Sequence, residues 1–267
     1  MTAERPRLIA LDLDGTVLNE DGTIEPATEA AVRAAAERGH EVMFATGRSW
    51  EHTEPIMERL GLTPSYAVCA NGALTLRRLP DGSYERFQIE TFDPEPALRK
   101  IRGHLADGRF MVELPDGSRL YTNGMSDWDL TRATEVEFDG LLGTPVTRIV
   151  VVSPEHSEEE FLRVVEQIGL HQVAYAIGWT AWLDIAPAGV NKAVALERVR
   201  ERLDIPASRV VAVGDGRNDL EMLEWAARSG RGVAMGQAPS EVHAVASEST
   251  GTVAEAGLAA VLDGLPD

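Results

Sequence analysis

One cysteine in 267 residues excludes an internal disulfide framework and fits a reducing compartment. That residue, Cys69, lies in the apolar run Tyr66-Ala67-Val68-Cys69-Ala70 with no His or Asn motif beside it, so it reads as a buried thiol rather than a nucleophile. No apolar stretch approaches the roughly eighteen residues of a membrane span, and Met1 to Pro6 reaches the first strand without a leader-like run. The expectation is a soluble, cytoplasmic chain without a membrane partner. Basic residues are scarce as well: 25 Lys and Arg stand against 43 Asp and Glu, a formal charge of -18. Such a surface repels polyanions, which argues against nucleic acid as a partner. A small anionic ligand would need its positive charge supplied locally, by a metal, Lys, Arg or helix amino ends. Aromatic residues make up only 6 %, and the five tryptophans read as packing residues rather than a stacking surface. There is no Gly-x-x-x-x-Gly-Lys-Ser/Thr and no His-Glu-x-x-His, and Gly230 to Gly236 misses Gly-x-Gly-x-x-Gly by one residue.

What is present is a rhythm. Arg7 to Leu11 is an apolar run of the kind buried on both faces of a parallel sheet. Helix patterns at 26–38 and 51–60 alternate with strand patterns at 41–45 and 66–70, and Gly39 and Gly61 follow the helices as C-terminal glycines do. The last third resumes the alternation, with helices at 192–203 and 220–227, strands at 209–213 and 232–234, and a final helix near the C-terminus. Alternating elements of this kind predict βαβ units and a Rossmann-like parallel sheet. Between them, turns such as Pro80-Asp81-Gly82, Pro115-Asp116-Gly117 and Asn123-Gly124 separate short β-rich pieces at 84–89, 109–114, 148–152 and 182–185, with helical stretches at 96–106 and 158–168. The fold class expected is α/β: a core of residues 1–81 and 187–267, with residues 82–186 inserted as an α+β domain.

Four segments carry chemistry. In Leu11-Asp12-Leu13-Asp14-Gly15-Thr16 the two carboxylates, two residues apart at a strand end, would leave the sheet together at its carboxyl edge, where open α/β sheets bind ligands. Such a pair can hold a hard cation, act as nucleophile and proton donor, or simply form an Asp-Gly turn. An EF-hand is excluded, since Val17 stands where Gly is needed and Thr23 where Glu is needed. Thr46, Gly47 and Arg48 end the second strand, where a hydroxyl and free amides can hold phosphate oxygens, or form a turn. Asn191-Lys192 opens a helix, and a lysine there opposes the macrodipole, which fits an anionic ligand, or is an ordinary surface residue. Gly214-Asp215-Gly216-Arg217-Asn218-Asp219 follows a buried strand, and its acids can complete a cation site or cap the next helix.

In this order the segments resemble the haloacid dehalogenase-like (HAD) phosphatase superfamily, in particular its Cof-type members with a large α/β cap of the C2 type. Asn71-Gly72 after the third strand also resembles that subgroup. The resemblance implies a HAD-fold core with a cap setting substrate specificity, and a Mg²⁺-dependent phosphatase acting on a small phosphorylated metabolite, a sugar phosphate first among them. By resemblance Asp12 attacks phosphorus to give an aspartyl-phosphate, while Asp14 protonates the leaving alcohol and then activates water. Asp12, the main-chain carbonyl of Asp14 and Asp215 bind Mg²⁺, with Asp219 supporting the metal shell. By resemblance Thr46, Lys192 and Asn218 bind the phosphoryl group, with Gly47 beside Thr46; Arg48, Asn71, Arg148 and Asp184 are candidate specificity residues, each equally able to make a structural salt bridge or turn. An aspartate of ordinary pKa, about 3.9, is a poor acid near neutrality, so Asp14 is expected to lie buried or beside negative charge. Alternatives on the same fold are a phosphosugar mutase or phosphotransferase, which needs a bisphosphate activator, and a non-catalytic phosphate-binding regulator. The assembly expected is a monomer or weak homodimer.

Overall fold

A computed structural model describes residues 6–125, 130, 132–154, 156, 157, 159, 160, 163, 173–177 and 182–266. The chain divides into two compact units, Met1–Phe87 with Asn191–Asp267, and Gln88–Val190.

The first unit is built on a five-stranded parallel sheet in which β1 (Leu8–Leu11) is the last strand but one. It pairs on one side with β2 (Glu41–Phe44) and on the other with β12 (Val210–Gly214), so that Leu8 lies level with both Glu41 and Val210. Beyond β12 come β13 (Arg231–Ala234) and the two-residue β14 (Glu248–Ser249). Every residue of β1 and β12 is buried, which is why these segments read as unbroken apolar runs. The flanking helices supply the matching faces. Pro26–Glu37 starts with Pro in its first turn and buries Thr28, Ala31, Val32 and Ala35, a stripe at helical spacing. Trp50–Leu60 stops at Gly61, whose φ of 67° gives the left-handed cap that residues with a Cβ rarely adopt. The core between sheet and helices includes Leu8, Ala10, Met43, Leu196, Val199, Ala212 and Leu223. Cys69 is part of the buried set at 0 % exposure, with Sγ near the Thr53 hydroxyl.

The third strand, β3 (Tyr66–Cys69), touches the parallel sheet through a bridge between Ala45 and Val68, then pairs with β4 (Leu74–Arg78) and, beyond it, β5 (Tyr84–Ile89). The hairpin of β4 and β5 carries the first unit through Phe87, past the Pro80-Asp81-Gly82 turn at which the inserted segment was expected to begin.

The second unit is a six-stranded sheet in the order β10 (Val173–Ile177), β11 (Trp182–Pro187), β9 (Arg148–Val152), β6 (Arg109–Glu113), β7 (Arg119–Tyr121), β8 (Ala133–Glu135). All its pairings are antiparallel except β7 with β8. Period two sorts its residues: Phe110, Val112, Ile149, Val151, Leu183 and Ile185 pack with Leu98 and Ile101 of the helix Glu95–Arg102. The opposite face carries Met111 and Val150 among buried charged side chains, and Arg148 Nε donates to Asp184 Oδ1 at 2.8 Å. The expected helix at 96–106 is thus shorter at its C-terminal end, and the one at 158–168 lies outside the described residues apart from 159, 160 and 163. Among the described residues no helix is long and apolar enough to cross a membrane.

Candidate active site

Asp12 is the first residue past β1, and its N–H donates to the Val213 carbonyl at 3.0 Å, which ties it to the end of β12. The strand ends at Leu11, so the two-residue alternation does not carry through to Asp14. The two carboxylates therefore differ sharply: the Asp12 side chain is 6 % exposed and that of Asp14 is 60 % exposed. Of the two surroundings expected for Asp14, burial or neighbouring negative charge, burial is absent. Its oxygens instead accept a bidentate pair from Arg48, Nε to Oδ2 at 2.8 Å and a terminal nitrogen to Oδ1 at 2.5 Å. Asp12 and Asp215 are near enough for Asp14 to act on them electrostatically, so its neighbours are two acids and the Arg48 guanidinium.

Lys192 opens the helix Lys192–Arg202, whose N-cap Asn191 accepts from the Val194 N–H at 2.9 Å. Backbone packing fixes where that helix starts. Gly72, with φ of +101°, lies so close to the Asn191 carbonyl that a Cβ would meet the oxygen at 2.4 Å. The lysine is fully buried, and its Nζ donates to Asp12 Oδ1 and to Asp219 Oδ1, each at 2.6 Å. Asp219 also accepts the Asp215 and Gly216 N–H groups on Oδ2, both at 3.0 Å, so it does the work of a cap as well as pairing with Lys192. Thr46 is buried, and its Oγ1 accepts from the Arg48 N–H at 3.1 Å. Gly47 lies beside the Asn71 carboxamide, and Asn218 Nδ2 donates to Asn71 Oδ1 at 3.1 Å. The first unit thus brings together all ten site residues expected in it, while Arg148 and Asp184 pair with each other in the second.

The electrostatics of the cluster ask for a cation. One carboxylate oxygen from each of Asp12, Asp215 and Asp219 lies within 4.8 Å of the others, and all three residues are buried. Burial, then the Asp219 charge, pushes Asp12 well above the usual carboxylate range, against the pull of Lys192. Burial and Asp219 likewise push Asp215 up to about 7, although Gln237 and Lys192 hold it down. Burial disfavours the ammonium of Lys192, yet Asp12 and Asp219 outweigh it and its pKa rises. Three buried carboxylates share one ammonium, so an all-oxygen donor set with two charges in excess remains, which suits a hard divalent ion. The residues present fit a metal site.

Gln237 escaped the sequence reading. It sits in the loop after β13, and its carboxamide reaches Gly15 and Asp215. Its only sequence signal is a polar residue just past the carboxyl end of a parallel strand, the edge on which such sheets bind ligands. The hydroxyl of Thr16, fully buried, has no hydrogen-bond partner among the described residues.

Residues 9–262 match the family described as haloacid dehalogenase-like hydrolase. The chain is 30 % identical to the 5-amino-6-(5-phospho-D-ribitylamino)uracil phosphatase YitU of Bacillus subtilis, over 97 % of each chain. It is also 30 % identical to the pyridoxal phosphate phosphatase YbhA of Escherichia coli, over 90 % of this chain and 92 % of that one. A haloacid dehalogenase-like hydrolase from B. subtilis of known structure superimposes with a TM-score of 0.77 at 25 % identity, covering 97 % of this chain and 100 % of that one. With the fold, the buried acidic cluster and these relatives in agreement, the chain belongs to the haloacid dehalogenase-like hydrolase family, as a Cof-type phosphatase and hence a phosphoric monoester hydrolase.

Proposed function

We propose that this enzyme is a Mg²⁺-dependent phosphatase that hydrolyses a small phosphorylated metabolite through an aspartyl-phosphate on Asp12. The observation that carries the reading is Lys192, fully buried and bonded to Asp12 and Asp219 with Asp215 alongside. A lysine held there has one evident use, to bring positive charge to a carboxylate that must approach an anion. Asp12, Asp215 and the main-chain carbonyl of Asp14 are the groups assigned to hold Mg²⁺, with Asp219 behind them. When bound, the ion supplies neutralising charge between carboxylate and phosphate.

A free Asp12 oxygen attacks phosphorus, and the bond from phosphorus to the ester oxygen breaks. Asp14 gives its proton to the departing alkoxide. Asp14 then takes a proton from water, whose oxygen attacks the aspartyl-phosphate, releasing phosphate and restoring Asp12. Lys192, the Thr46 hydroxyl, the Gly47 amide and Asn218 hold the phosphoryl oxygens during both transfers. Arg48 has a double assignment. Paired with Asp14 it keeps that carboxylate aimed at the site, and a substrate anion that draws the guanidinium away frees Asp14 for proton transfer.

The relatives named as phosphatases act on a phosphoribitylamino-uracil and on pyridoxal phosphate, which supports a small organic phosphate as substrate. Sugar phosphates are the first class to screen, with Asn71 near the phosphoryl end and residues 82–186, Arg148 and Asp184 among them, assigned to substrate choice. We place the activity in the cytoplasm, consistent with a single buried cysteine. Turnover of an aryl phosphate with Mg²⁺, with EDTA and with Asp12→Asn tests the reading. The expected result is metal-dependent phosphate release that Asp12→Asn abolishes; equal release by the variant removes Asp12 from the mechanism. A panel of phosphorylated metabolites ranked by kcat/KM then identifies the substrate class.

A further inference from the structure

We infer that Gln237 is a positioning residue for the metal site, holding Asp215 against the Gly15 carbonyl through a single carboxamide. The inference rests on the proposal that Asp215 is a metal ligand. Gln237 Nε2 donates to the Gly15 carbonyl at 2.5 Å and to Asp215 Oδ2 at 3.2 Å. Its Oε1 accepts the Val253 N–H at 3.1 Å. This last bond fixes the orientation of the carboxamide. A backbone N–H can only donate, so the oxygen must face Val253, and the two hydrogens of Nε2 are left for two groups that can only accept.

Three loops meet at this side chain: the Asp12–Thr16 turn, the turn that begins at Asp215, and the segment around Val253. The loop that carries Gln237 is itself held by backbone bonds, Met235 N–H to the Gly214 carbonyl and Gly236 N–H to the Gly251 carbonyl. Gly15 makes the approach possible. Its φ is +78°, and a Cβ there would meet Asp215 Oδ2 at 2.1 Å. With Oδ2 engaged by Gln237, Asp215 Oδ1 accepts no hydrogen bond among the described residues, which leaves it available to a cation. Gln237 is neutral, so it orients the carboxylate without cancelling the charge that attracts the ion. Lys or Arg at this place would compete with the metal. Outer partners that orient metal-binding carboxylates in this way typically change affinity by about 10- to 100-fold when removed.

The test is cation binding without substrate. Gln237→Met keeps the length and volume of the side chain and removes both donors. Mg²⁺ binding by titration calorimetry and Mn²⁺ binding by electron paramagnetic resonance are measured for parent and variant, with melting in EDTA as the check on folding. The expected result is a Kd raised by about tenfold or more for both ions, with the Mg²⁺ concentration for half-maximal aryl phosphate turnover raised in parallel and rate regained as the ion is increased. A folded variant whose Kd stays within about twofold of the parent's overturns the inference, whatever its kcat. If Gln237→Met does not fold, Gln237→Asn, which retracts the carboxamide by one methylene, is measured and read by the same criterion. A parent protein that binds neither ion overturns the metal site itself, whereas equal binding by parent and variant overturns only the role of Gln237.

Discussion

Replacing Lys192 by Met isolates the electrostatics of the acidic cluster. The lysine is fully buried, and its Nζ makes two 2.6 Å bonds, to Asp12 and Asp219. Met preserves most of the volume, so a cavity contributes little and the loss is that of one partner in a buried charge cluster. Breaking such a pair costs about 3–5 kcal/mol, because the carboxylates left behind have neither water nor a counter-charge. For a chain of this size that corresponds to a fall in Tm on the order of 10 °C. The pH dependence has a definite sign. Burial and Asp219 already raise Asp12 in the folded parent, and without Lys192 it rises further. An acid raised on folding contributes stability that is present below its unfolded pKa and lost as pH rises through the folded value. Lys192→Met in EDTA is therefore expected to lose most stability at pH 8 and to recover towards the parent by pH 5. Adding Asp12→Asn to Lys192→Met should raise Tm at pH 8, since it removes an unpaired buried charge. Thermal melts of the parent, single and double variants at the two pH values provide the measurement. A Tm for Lys192→Met within about 2 °C of the parent at pH 8, or a double variant less stable than the single one, refutes the argument.

Other outcomes follow from the same geometry. Gly15→Ala places a Cβ at φ of +78° and 2.1 Å from Asp215 Oδ2; it should cost at least about 1–2 kcal/mol in thermal melts and weaken Mg²⁺ binding in calorimetry. Arg48→Ala breaks a partly exposed pair, with side chains 33 % and 60 % exposed, so its unfolding free energy should change by less than about 1 kcal/mol. Its kcat/KM on a phosphomonoester should nonetheless fall by about tenfold or more, the 1.4 kcal/mol of one charge-assisted contact; unaltered kinetics would remove Arg48 from the site. Mg²⁺ at about one hundred times its Kd should stabilise the parent by about 2.7 kcal/mol over the EDTA-treated form, and Asp215→Asn should lose that rise in Tm.

The parallel strands were legible because burial on both faces leaves a mark that needs no partner to be read. Leu8–Leu11 and Val210–Gly214 are apolar throughout, and both are fully buried. Short elements left no such mark. The strands Arg119–Tyr121 and Glu248–Ser249 and the helix Ser240–Val245 are too brief for a period to emerge, and they form because neighbours already stand beside them. Asp81-Gly82 marks a reversal of the chain and says nothing about which unit the returning strand joins, whereas the sheet order sets Tyr84–Ile89 beside Leu74–Arg78.

The sequence by itself determined the alternating α/β core, the four segments with Asp12, Thr46, Lys192 and Asp215 that resemble the family's motifs, and the net negative charge that an anionic ligand must overcome. Tertiary structure alone decided how these groups divide the labour. Asp12 and Lys192 are separated by 180 positions and bond to each other because Asp12 leaves the end of β1 while the close approach of Gly72 to the Asn191 carbonyl sets where the lysine's helix begins. Asp12 and Asp14, two residues apart, end in opposite surroundings because the strand stops at Leu11 and the backbone turns before Asp14. Spacing records which residues are near along the chain, whereas burial and ion pairing depend on the register of strands far apart in sequence. That is why the acids could be named from the sequence, and why Arg48 on Asp14, Lys192 between two aspartates and Gln237 on Asp215 required the fold.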